Sequence, residues 1–282
     1  MNWPFKEIED SYTDKDTILY ALGLGYGDDP TDKNDLRFVY EDGLIAVPTM
    51  PVVLAWPGFW QQDPATGINW KKIVAAGQEL TIHSPLPTSG EVIGRMEVTD
   101  VFDMGPEKGA LLHFRRTIID KASGEKYASI DGTTILRGDG GFDGPKKPKA
   151  PPQPVTSGEP DFSQDVRTLP QSALIYRLSA DDNPLHADPD VAQVAGFDRP
   201  ILHGLCTFGI AARSAINCLC GQDPQRLKHI GLRFSSPVFP GETIRTKMWV
   251  HSFGEAAFEC SVVERDVLVA KGGNIRFDTE DL

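Results

Sequence analysis

The chain has 282 residues, 40% of them hydrophobic and 24% charged, the profile of a folded globular protein with room for one large domain or two small ones. A net charge of −12 argues against broad binding to nucleic acid or to an anionic membrane surface, which needs clustered Lys and Arg. Four cysteines, Cys206, Cys218, Cys220 and Cys260, are too few for a disulfide scaffold. The C-x-C spacing of Cys218 and Cys220 fits neither a zinc nor a redox motif, so reduced thiols in a cytoplasmic protein are expected.

Taken in chain order, Met1–Asp10 carries Glu7, Glu9 and Asp10 and lacks the apolar core of a signal peptide. The apolar run from Ile45 to Trp60 contains Pro48, Pro51 and Pro57 and is too short to span a bilayer. Within it, Val52–Trp60 reads as a short helix interrupted at Pro57, because proline removes a helical hydrogen bond and clashes with the preceding turn. Val92–Val98 reads as a strand. From Gly138 to Pro160 the sequence is GDGGFDGPKKPKAPPQPVTSGEP, a semi-extended linker by composition. The chain ends Glu280-Asp281-Leu282, which is not the peroxisomal tripeptide.

The segments on either side of the linker repeat each other. Ile18–Leu22 matches Leu174–Leu178, Leu80–Pro87 matches Leu232–Phe239, and Gly90-Glu91 matches Gly241-Glu242, at offsets of 156, 152 and 151 residues. A near-constant offset is the mark of a tandem duplication. It divides the chain into residues 1–137, a linker 138–160, and residues 161–282. In the second copy a buried helix of about Leu205–Leu219 precedes alternating strands at Thr243–Val250, around Phe258–Val262, at Val267–Ala270 and at Asn274–Phe277. That order predicts an α+β fold with an antiparallel sheet wrapped on a helix, present twice. The curtailed first-copy helix would leave spare apolar volume near Ala55, where part of a ligand could sit.

The densest polar cluster runs from Tyr176 to His186. Pro184 forces Asn183 into an extended conformation, so the segment turns sharply. Such a turn can bring the Asp181 carboxylate and the His186 imidazole to one water, as a general acid/base pair needs, with Asn183 holding the orientation. The same residues also read as a turn that caps its own backbone. Asp181, His186 and His203 are metal-ligand types, but no paired-His spacing supports a metal site. Asp188-Pro189 starts a short helix that stops at Gly196. Gly204 opens the buried helix, where unpaired amides favour negative charge; it serves either as an oxyanion site or as a close-packing glycine.

Residues 176–186 and 200–209 closely resemble the (R)-specific enoyl-CoA hydratases, hydratase 2, of the MaoC-like group, in particular the hydratase part of peroxisomal multifunctional enzyme type 2. The family signature Ser-Gly-Asp-x-Asn-Pro-Leu-His stands here as Ser179-Ala180-Asp181-Asp182-Asn183-Pro184-Leu185-His186, with Ala180 in place of glycine. Gly231–Phe234 and Pro240–Glu242 resemble the family as well. The resemblance implies a double hot-dog fold and reversible hydration of trans-2-enoyl-CoA to (3R)-3-hydroxyacyl-CoA. It assigns catalysis to Asp181, His186, Asn183 and the Gly204 amide, and substrate contacts to Asp182, Pro184, Leu185, Phe234, Arg233 and, weakly, Lys108. No metal or redox cofactor is implied, coenzyme A being part of the substrate.

The first copy has Gly25 opposite Asp181 and Pro30 where the histidine would be, so it is expected to bind rather than react. A family His-Gly pair that contacts substrate is replaced here by Ala75-Ala76-Gly77-Gln78. Cations for the coenzyme A phosphates would come from Arg233, Lys228, Lys146 and Lys147. A hot-dog thioesterase and a non-catalytic acyl-CoA-binding protein are the competing readings, and pairing of two such chains into a homodimer is open.

Overall fold

The computed structural model describes residues 3–148, 156–179 and 181–279. Ala180, Lys149 and the terminal Glu280–Leu282 lie outside them. The first half holds β1 (Ile8–Tyr12), α1 (Asp14–Gly23), α2 (Lys33–Leu36), β2 (Ile73–Ile82), β3 (Gly90–Asp103), β4 (Ala110–Asp120) and β5 (Lys126–Leu136). The second holds β6 (Phe162–Arg167), α3 (Ser172–Tyr176), α4 (Pro189–Val194), α5 (Gly204–Leu219), β7 (Leu227–Phe234), β8 (Thr243–Ser252), β9 (Glu255–Val262) and β10 (Val267–Phe277).

The strands lie in the order β1-β3-β4-β5-β2-β7-β10-β9-β8-β6. Each half contributes five, and the second half repeats the first in mirror order. This is the double hot-dog arrangement, with one refinement: the two half-sheets are not separate. β2 and β7 pair antiparallel from Gly77↔Arg233 to Thr81↔His229, which fuses them into one sheet. Matched positions of the duplication therefore meet across an internal two-fold. Tyr20 and Tyr176 do the same, with ring centroids 5.9 Å apart, where α1 packs on α3. The strands expected at Val267–Ala270 and Asn274–Phe277 form one strand, β10, because a bulge between Lys271 and Asn274 shifts the register without ending the ladder.

α5 is buried along nearly its whole length, Cys206 to Ile216, because its apolar residues face the curved sheet on one side and the first half on the other. Gly209 makes that second contact close, since a Cβ there would lie 2.5 Å from Leu24. Arg213, the charged residue of this helix, donates from Nη2 to Asp35 of α2 at 2.8 Å and lies 4.8 Å from the centre of the Tyr26 ring. Both members of this ion pair are buried, so it ties the halves together inside the core.

In the first half the equivalent of α5 is shorter than expected. A single 3-10 turn, Met50–Val52, replaces it. The chain then continues as a strap, Val53–Trp56, whose Ala55 takes a left-handed φ of 47°. The Ala55 amide donates to Asp10, and Arg116 donates to the Val52 carbonyl with its guanidinium 5.0 Å from the centre of the Trp56 ring. On its β3 side Ala55 is closely packed: the strap lies directly on β3, and a Cβ on Gly94 would stand 2.7 Å from that of Ala55. The first-half core is divided. Ala110, Leu112 and Leu136 form a small cluster apart from the main one, beside a groove of about 490 Å³ lined by Ile68, Val101, Phe142 and others.

The start of the linker is held against the end of β3. The buried carboxylate of Asp103 accepts the amides of Gly141, Gly105 and Asp143, which hold its pKa down to about 2, and Lys146 lies 3.5 Å away. Among the described residues no helix is long and apolar enough to cross a membrane.

Candidate active site

The turn after α3 carries the predicted pair. Tyr176 ends α3 in full burial, a 3-10 turn Arg177–Ser179 follows, and a second one, Pro184–His186, begins at Asn183 in extended conformation. Asp181 and Asn183 both cap the turn, as the simpler reading required. Asp181 Oδ1 accepts the Asn183 amide at 3.1 Å, and Asn183 Oδ1 accepts the Leu185 amide at 3.0 Å. Capping and chemistry do not exclude each other, because a carboxylate has a second oxygen. These bonds fix where it points.

His186 is 8% exposed. Its Nδ1 lies 2.8 Å from the Ile201 carbonyl, which can only accept, so Nδ1 carries the proton and Nε2 keeps a free lone pair. Burial lowers its pKa below the ordinary histidine value, opposed by the Ile201 carbonyl and Asp181, so the ring is a neutral base at neutral pH. Asp181, His186 and His203 each offer a polar atom within 4.8 Å of the others.

His203 is the site residue that sequence reasoning did not place. It counted there only as a ligand type, although it stands directly before Gly204. In the structure its ring stacks on His186 with centroids 3.7 Å apart and planes inclined by 27°. Its Nε2 lies 3.2 Å from the Asp181 carbonyl, so Nε2 is the protonated nitrogen. Burial, helped by repulsion from His186, drives its pKa down to about 3.

Gly204 opens α5 immediately after His203. The Cys206 and Thr207 amides both go to the His203 carbonyl, whereas the Gly204 amide has no partner among the described residues. A Cβ on Gly204 would stand 3.1 Å from the Phe234 ring, so Phe234 and the helix start form one wall. Asp182, Asn183 and Pro184 are exposed and Leu185 half-buried, on the rim of the turn.

Other predicted contacts are dispersed. Arg233 pairs with Gly77 and leaves the sheet on the face opposite Phe234, because successive strand residues alternate faces. Lys228 is held by the Gln225 carbonyl and Asp278. Lys146 faces Asp103, while Lys147 and, in the β3–β4 turn, Lys108 are exposed. The four cysteines are free, three of them buried, and burial raises the pKa of Cys220 and Cys260 to about 12. They are packing residues.

Comparison with known proteins places the chain in a family. Residues 11–138 match the MFE-2 hydratase 2 N-terminal domain, and residues 152–272 match the MaoC like domain. The chain is 39% identical over 262 residues to 3-hydroxyacyl-thioester dehydratase Y of Mycobacterium tuberculosis, covering 90% of this chain and 88% of that one. The chain belongs to the MaoC-like hydratase 2 family. It is also 36% identical to the peroxisomal enoyl-CoA hydratase 2 of Arabidopsis thaliana, across 94% of this chain and 90% of that one. The crystal structure of a MaoC-like dehydratase from Phytophthora capsici superposes with a TM-score of 0.87 at 35% identity, over 100% of this chain and 98% of that one.

Proposed function

We propose that this member of the family hydrates trans-2-enoyl-CoA reversibly to (3R)-3-hydroxyacyl-CoA. The observation that carries the reading is the free Nε2 of a neutral His186 beside the oriented Asp181 carboxylate, at the start of α5. In the forward direction the pair holds one water. Nε2 takes a proton from it as the oxygen bonds to C3, and a proton returns from the pair to C2 on the same face. The Gly204 amide donates a hydrogen bond to the thioester oxygen as negative charge builds on it. Asn183 keeps the turn in shape, and Phe234 lines the acyl path with Leu185, Asp182 and Pro184 at its rim. No metal or redox cofactor enters these steps.

The division of labour is part of the proposal: residues 161–282 carry the chemistry and residues 1–137 shape the acyl site, joined by 138–160. Of the cations considered for the coenzyme A phosphates, Lys147 is exposed, and Lys108 is kept as a weaker substrate contact. A cytoplasmic location, in keeping with four free cysteines, and pairing of two chains are also proposed.

Incubation with short and medium 2-enoyl-CoAs, following the conjugated thioester absorbance, product chirality and free thiol, tests the reading. Formation of the (3R) alcohol is expected, unaffected by a chelator. Thiol release without it would indicate a thioesterase, and binding without turnover an acyl-CoA-binding protein. Asp181→Asn and His186→Ala should each reduce turnover by about a hundredfold or more with the fold intact.

A further inference from the structure

We infer that His203 is a positioning residue: its imidazole braces the Asp181 turn and the His186 ring against the start of α5. The inference deepens the hydratase reading and rests on it for its kinetic arm.

Three contacts converge on this one ring. It stacks on His186 at 3.7 Å, it donates from Nε2 to the Asp181 carbonyl at 3.2 Å, and its other side faces the Tyr176 ring at 5.1 Å. Tyr176 in turn faces Tyr20 of the first half, whose hydroxyl donates to Thr49. The ring is 1% exposed, so it cannot leave this position without opening the core. Backbone placement adds leverage. His203 is the residue before Gly204, and its carbonyl accepts the Cys206 and Thr207 amides that begin α5. The acid/base turn and the oxyanion amide lie on separate elements, more than 15 residues apart in sequence. His203 is bonded to both.

A neutral ring suits the role. A charged His203 would make proton uptake at His186 costly, because like charges at stacking distance repel. The groups facing His203 are His186, Asp181, Tyr176 and, by its charge, Arg177. A permanently neutral donor leaves His186 free to gain and lose its proton. Nδ1 of His203 has no partner among the described residues. The hydrogen bond from Nε2 and the stack are therefore the two contacts that a substitution can separate.

Two variants separate them. His203→Phe keeps a stacking ring and loses the donor, and His203→Gln keeps a donor and loses the ring. Steady-state kinetics on a 2-enoyl-CoA, the pH profile of kcat, thermal midpoints and amide hydrogen exchange at Asn183 and Leu185 are read on the full chain. In His203→Phe, kcat should fall about tenfold or more with KM within about twofold, since small misplacement of reacting groups is costly. The acid limb of the profile should stay in place, and exchange at Asn183 and Leu185 should accelerate. His203→Gln should recover part of both. Wild-type kcat together with wild-type exchange in His203→Phe would overturn the inference. So would an equal fall in kcat and thermal midpoint in both variants, which marks a residue that merely fills space. A wild-type chain that hydrates no enoyl-CoA would sink the hydratase reading instead, and exchange at the two amides would then decide the role of His203 alone.

Discussion

The two halves share a five-stranded frame and differ in what the frame encloses. In the second half a 16-residue helix fills the curved sheet, and its first residue forms one wall of the candidate site. In the first half a three-residue turn and a strap take that place, anchored by Asp10, Arg116 and the bare backbone of Gly94. The turn after the first helix differs as well. α1 runs ten residues to Gly23, whereas α3 stops after five and releases the chain into the Asp181 turn. One frame thus presents a helix terminus beside Asp181 and His186 on one side and a reduced core on the other. The sheet supplies the scaffold, and the connections decide the chemistry.

That contrast can be broken in four ways. The largest effect concerns activity: Asp181→Asn should lose about a hundredfold or more in kcat, whereas Asp28→Asn in the exposed first-half turn should stay within about twofold. Equal losses would show that the halves share the chemistry. Next is the clamp between them. Asp35→Ala leaves Arg213 buried without its carboxylate and should cost about 3–5 kcal/mol in urea unfolding, while breaking the exposed Arg245–Asp165 pair should cost under about 1 kcal/mol. Third, Gly94→Ala pushes the strap off β3 and should cost about 1–3 kcal/mol without changing kcat. Gly204→Ala meets the half-buried Phe234 ring, which can shift, so it should lower kcat more than stability.

The last effect is a slope with pH. The native state keeps His203 neutral down to about pH 3, whereas the unfolded chain takes up that proton near 6.5. The contribution is whole above the unfolded value and is lost as pH falls from there toward about 3. His186, also lowered, acts in the same direction. His203→Phe should flatten the slope measured by denaturation between about pH 6 and 4.5. An unchanged slope would place the acid sensitivity elsewhere.

Much of this was legible beforehand because it rests on local rules. The repeat, the β8–β10 meander, the buried helix and the Asn183-Pro184 turn all follow from periodicity and turn chemistry. α4 lies where Asp188-Pro189 and Gly196 put it, with Asp188 capping the Asp190 amide. What escaped depends on contacts distant in sequence. Nothing local tells His203 to stack on His186, although its place before Gly204 was a hint. The fusion of β2 with β7 needs two strands some 150 residues apart. Arg233 and Phe234 are neighbours in sequence and lie on opposite faces, which alternation predicts once the strand is known. Lys146 and Lys228 look like available cations in the sequence, but Asp103 and Asp278 lie beside them.

Joining β2 to β7 also decides which backbone the protein leaves unpaired. The margins of the ten-stranded sheet are β1 and β6, only five and six residues long, and each carries acidic side chains: Glu9 and Asp10 on one, Asp165 on the other. Short, charged margins are poor templates for another chain's strands. Cutting the polypeptide between Pro145 and Thr156 would undo this protection, since each piece would bare a long, apolar inner strand. The two pieces should therefore be insoluble when made separately, and reassemble on that seam when made together.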